Sequence, residues 1–100
     1  MNQIERITHY ETMLHEAEDA LSVLGDALEG YRAVQDKIRA LDEYYGSEEW
    51  RQDFEDDEAG KLPADLPRGV LSEDGIYDVL TDERELTALM IEYAADFIRK

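Results

Sequence analysis

A chain of 100 residues is the size of one domain, and 26 Asp plus Glu against 10 Lys plus Arg give it a net charge of −16. That balance repels phosphate backbones and anionic lipid, which argues against direct nucleic-acid or membrane-surface binding. Cysteine is absent, excluding disulfides, zinc–thiolate sites and thiol chemistry, and no apolar run approaches the ~20 residues that span a bilayer.

The first element follows from spacing. From Asn2 to Tyr45 the apolar positions Ile7, Tyr10, Leu14, Ala17, Leu21, Leu24, Leu28, Tyr31, Val34, Ile38, Leu41 and Tyr45 advance in alternating steps of three and four. Those steps place them on one stripe of a helix, with Glu5, Glu11, Glu18, Glu29, Asp36 and Arg39 outside it, and such a stripe suits a coiled-coil contact. Asn2 and Glu5 have the spacing of an N-cap and its reciprocal acid, and Gly46 suits the left-handed residue after a helix. Gly25 and Gly30 each weaken a helix by about 1 kcal/mol, but the phase runs through both unchanged, which predicts one long helix over 1–45.

Residues 46–72 follow as a short helix and a crossing segment. Ser47 is placed to cap the helix, Glu48 and Glu49 suit its first turn, and Trp50 and Phe54 fall four apart on one face. In KLPADLPRGVL, Pro63 and Pro67 stop regular structure, while Leu62, Leu66, Val70 and Leu71 can pin the chain down. Lys61 and Arg68 are expected to neutralise nearby carboxylates and hold this segment in place.

Over 73–100, Ser72 is expected to cap a short helix, EDGIYDVL, and Asp82 with Glu85 to open a last helix with the stripe Leu86, Leu89, Met90, Tyr93, Ala94, Phe97 and Ile98. Carried forward, the phase of Ile76 and Leu80 lands on Glu83 and Arg84, which predicts a break near Thr81. The expected fold is all-α: one domain in which a long N-terminal helix forms a hairpin or small bundle with two short helices and a C-terminal helix. A first helix of about 65 Å cannot be covered by a last one of about 25 Å. Unless the short helices fill the gap, a homodimer, antiparallel or parallel, is favoured over a monomer.

The run YYGSEEWRQDFEDDEAGKLPADLPRGVLSEDGIYDVL, between a long acidic helix and a shorter one, resembles the small acidic bacterial family named DUF4298, a domain of unknown function. The resemblance covers nearly the whole chain. It implies a bacterial, intracellular, all-helical protein and carries over no catalytic residue.

Each candidate chemistry has a plainer reading. His9 and His15 pair at i,i+4 spacing with Glu5 and Glu11, but the two histidines are six apart, lie off the stripe and lack converging ligands, so both read as solvated surface. Asp53, Glu55 and Asp57 alternate as in a calcium loop, yet Glu58 stands where that loop needs Gly and Ala64 where it needs its closing Glu. Ser22, Ser47 and Ser72 have no nearby histidine, and the glycines form no phosphate loop. No catalytic residue, cofactor or metal is therefore assigned.

The aromatics remain. Tyr44, Tyr45, Trp50 and Phe54 either bury themselves when the short helix folds back or, with Asp56 and Asp57, form a partner contact. The leading expectation is a non-enzymatic, cytoplasmic interaction protein whose acidic surface meets a basic or amphipathic protein partner. A nucleic-acid mimic that occupies a basic groove is the narrower alternative, and a metal protein or enzyme the third. The N-terminus MNQIERITHYE has acids where a signal peptide needs an apolar core.

Overall fold

A computed structural model describes residues 1–100. The chain is all-α, with helices α1 (Gln3–Tyr44), α2 (Glu48–Glu58) and α3 (Gly75–Arg99) and a 3₁₀ turn at Gly69–Leu71 before α3. None of the helices is long and apolar enough to cross a membrane. The chain divides into two compact units, Met1–Gln35 and Asp36–Lys100, and α1 begins in one and ends in the other.

Met1–Gln35 is helical from Gln3 onward. Asn2 caps it: the Glu5 backbone N–H donates to Asn2 Oδ1 at 2.8 Å, and the Asn2 side-chain amide donates back to Glu5 Oε1 at 2.8 Å. The return bond thus uses the Asn side chain rather than its backbone, which satisfies the carboxylate just as well. Helix α1 runs unbroken through Gly25 and Gly30, and a Cβ at either would meet nothing within 4 Å. Replacing either by Ala is expected to raise stability by about 0.5–1 kcal/mol, as read from a urea melt. A loss of stability would mean that the backbone there is not helical.

Asp36–Lys100 holds what core there is. Helix α1 ends at Tyr44 and the chain turns at Gly46, whose φ of +82° is the left-handed conformation that glycine takes without steric cost. Ser47 then starts α2, its Oγ accepting from the Trp50 backbone N–H at 3.1 Å. The 3₁₀ turn packs against both α2 and α3 and delivers Leu71, which with Ile76 is the buried core. Ile38, Leu41, Leu62 and Leu80 are half-buried. Apolar residues are 43% of the chain, yet only these two are buried, because most of the apolar stripe of α1 and of the second half of α3 faces solvent.

The C-terminal region corrects the sequence reading. There is no separate helix EDGIYDVL and no break near Thr81, since α3 is continuous and Asp82 and Glu85 are interior to it. The phase from Ile76 through Leu80 to Glu83 is kept, and the charge it meets is satisfied by pairing: Arg39 of α1 donates to both Glu83 oxygens, at 3.0 and 3.2 Å. The Glu83 side chain is only 14% exposed. A helix tolerates a carboxylate on its inward face when a guanidinium meets it.

Ser72 stands two residues before the capping position, which Asp74 occupies. Its Oγ accepts from the Gly75 N–H at 3.0 Å and donates to the Gly69 carbonyl at 2.6 Å, locking the 3₁₀ turn to the start of α3. A Cβ on Gly75 would collide with the Gly69 carbonyl and Ser72 Oγ. Gly75→Ala is therefore expected to cost about 1–2 kcal/mol, opposite in sign to the α1 glycines.

Candidate functional site

The sequence singled out Tyr44, Tyr45, Trp50, Phe54, Asp56 and Asp57, and these lie at the end of α1 and along α2. Three of them form one aromatic cluster. Trp50 stacks on Phe54 with ring centroids 5.3 Å apart and 19° between planes, and Tyr45 meets Trp50 edge-on at 5.3 Å. The i,i+4 spacing on α2 sets the first pair, and the left-handed turn at Gly46 returns the chain so that Tyr45 reaches the second. Trp50 and Phe54 are half-buried, and the indole N–H donates to the Val70 carbonyl at 3.0 Å. The tryptophan thus fastens α2 to the crossing segment.

Asp57, one turn beyond Phe54 on the same face, is fastened likewise. It pairs with Arg68, whose guanidinium also donates to the carbonyls of Pro63 at 2.9 Å, Ala64 at 3.0 Å and Leu66 at 3.3 Å. One side chain therefore closes the turn 63–66 from within and ties it to α2. Asp56 accepts from Gln52 at 2.9 Å and lies 3.9 Å from Lys61. The expectation that Lys61 and Arg68 hold the crossing segment matches these contacts, Arg68 far more strongly.

Tyr44 is drawn elsewhere. Its hydroxyl donates to Asp53 Oδ2 at 2.6 Å, and this bond, with partial burial and the charges of Asp53 and Glu49, pushes its pKa up from 10.0 to about 12. The sign follows from linkage. Between pH 10.0 and about 12 the unfolded phenol ionises first, so the bond's contribution is full below pH 10.0 and is lost as pH rises through about 12. The stability difference between the parent and Tyr44→Phe should be constant at neutral pH and shrink across that window. A difference that does not change with pH would contradict the Asp53 contact.

The carboxylates not used in these contacts face outward. Asp42, Glu43, Glu49, Glu55 and Glu58 are exposed, with no cation within ion-pair distance. No three His, Asp or Glu side chains form a group that could hold a metal ion. His15 lies between Glu11 at 3.2 Å and Glu18 at 3.3 Å on the exposed surface of α1, and His9 sits edge-on to Tyr10.

Arg39–Glu83 and Tyr44–Asp53 are among the contacts not foreseen from sequence. The first has one legible signal, a lone acid on the phase of Ile76 and Leu80. The second has none beyond a tyrosine near an acidic helix.

Comparison with curated proteins gives no match, and comparison with solved structures gives none either. The family model described as a domain of unknown function (DUF4298) matches residues 7–93, which take in most of α1, all of α2 and the Arg68 and Trp50 fastenings, and most of α3; the chain belongs to this family.

Proposed function

We propose that this is a non-enzymatic protein-interaction module, working in the cytoplasm, whose acidic helical surface engages a basic or amphipathic protein partner. The observation that carries the reading is the division of labour on α2. One face, Trp50, Phe54 and Asp57, is spent on holding the chain together, and the carboxylates of Glu49, Glu55 and Glu58 are presented outward without counter-cations. Fixed carboxylates on a rigid helix attract and orient a cationic surface. The aromatic cluster supports that platform.

The experiment is capture from a native lysate on the parent chain and on a Glu49→Gln, Glu55→Gln, Glu58→Gln variant, with the captured protein then purified and its affinity measured for both. The reading predicts a basic partner whose binding weakens at least several-fold on the variant. A partner bound equally by both chains would contradict it. Competition for that partner by DNA or RNA would select the narrower mimic form of the reading.

The same crowding predicts a salt effect on folding. Folding brings the carboxylates between Asp42 and Glu58 closer than in the open chain, so added salt should raise the melting temperature by screening them. A melting temperature that falls with salt would show that the ion pairs of Arg68 and Arg39 outweigh this repulsion.

A further inference from the structure

Within Met1–Gln35 the apolar positions return every seven residues, with Leu14, Leu21 and Leu28 in one series and Tyr10, Ala17, Leu24 and Tyr31 in the other. A seven-residue repeat averages about 3.5 residues per turn against about 3.6 for a straight helix, so it stays in contact only with a helix coiled around it. From Tyr10 to Leu28 the stripe is exposed, Leu21 by 67%, Leu24 by 52% and Leu14 by 52%, while Tyr31 at its end is half-buried. The acids Glu16, Asp19, Asp26 and Glu29 lie at heptad positions turned away from it. Its flanks are nearly neutral, with Ala20, Ala27, Met13 and Arg6 along one side and Glu11, Glu18, Gly25 and Arg32 along the other.

We infer that this stripe is the seam of an antiparallel homodimer, in the register that sets Leu21 beside Leu24 of the second copy. This surface is distinct from the outward carboxylates of α2, and the inference holds whether or not they bind a basic partner. Charge selects the occupant. A basic partner would find Arg6 and Arg32 balancing Glu11 and Glu18 along the flanks, whereas a second copy in this register places Glu11 of each chain beside Arg32 of the other. Glu18 then faces Gly25, so no like charges oppose one another there.

Side-chain size and charge select the direction. Antiparallel pairing sets Ala17 against Leu28 and Leu14 against Tyr31, and Ala20 against Ala27 lets the backbones approach. A parallel pair in register would set Ala17 against Ala17 and Tyr10 against Tyr10, leaving one layer underfilled and the other crowded. It would also bring together the two segments beyond Gln35, which carry most of the acids. In the antiparallel pair those segments leave from opposite ends.

The test is sedimentation equilibrium of the full chain over a concentration series, with helicity followed by circular dichroism. The parent should reach twice its 11.5 kDa mass, and Leu21→Asp should stay monomeric. Glu11→Arg should weaken dimerisation about threefold to tenfold by setting two arginines together, and adding Arg32→Glu should restore it. In a parallel pair Glu11 would lie beside Arg6 instead, so the second substitution would restore nothing. A parent that is monomeric at every concentration, or a dimer that ignores Leu21 or is not restored by the double swap, overturns the inference. The charge-swap pair leaves the apolar seam intact and so decides the question even if Leu21→Asp fails to fold.

Discussion

Truncating Trp50 to Ala is expected to lower stability by about 2–3 kcal/mol, near the bottom of the range for a large aromatic because the side chain is half rather than fully buried. The loss has separable parts. The stack on Phe54 and the edge contact from Tyr45 go together, and the indole bond to the Val70 carbonyl goes with them. Trp50→Phe retains a ring on Phe54 but has no N–H to donate, and should recover all but about 1 kcal/mol. In a unit whose buried core is Leu71 and Ile76, these contacts are a large share of what joins α2 to the rest. Urea unfolding followed by circular dichroism gives both values. A Trp50→Ala chain as stable as the parent, with parent emission typical of indole in water, would show that the ring holds nothing and is left for a partner.

Replacing Arg68 by Ala should cost about 2 kcal/mol, the second largest effect expected of a single substitution. The side chain is 31% exposed and its partner Asp57 21%, so the pair is partly shielded from solvent and is discounted from the fully buried case. What makes it matter is the number of acceptors served at once, one carboxylate and three carbonyls. Arg68→Lys keeps the charge but not the planar fork, and should recover less than half of the loss. If Lys restores full stability, the carbonyl contacts contribute little and only the charge on Asp57 counts.

The long helix was legible because each of its signals is local: the stripe, the cap at Asn2 and the glycine stop lie within a few residues of the backbone they govern. The same holds for Ser47 and the Trp50–Phe54 pair. The break predicted near Thr81 failed for a physical reason. Local pattern treats Glu83 as a surface residue, and only the arrival of Arg39, 44 positions earlier in the chain, makes an inward carboxylate acceptable. The smallness of the core was illegible for a related reason, since an apolar stripe looks the same in sequence whether its own chain covers it or leaves it to solvent. Arg68 lay between these cases: its charge near Asp57 was readable, but not its grip on the Pro63 and Ala64 carbonyls, which depends on the turn those residues make.

The measurement that bears most directly on the interaction-module reading is the affinity of the captured partner across a salt series, with on- and off-rates resolved. If the outward carboxylates of Glu49, Glu55 and Glu58 steer a cationic surface, affinity should fall steadily as ionic strength rises, chiefly through a slower association rate. The same salt should leave the folded chain intact or firmer. An affinity indifferent to salt would contradict the acidic-surface account, including its nucleic-acid-mimic form, and would move the contact to the apolar residues around Trp50.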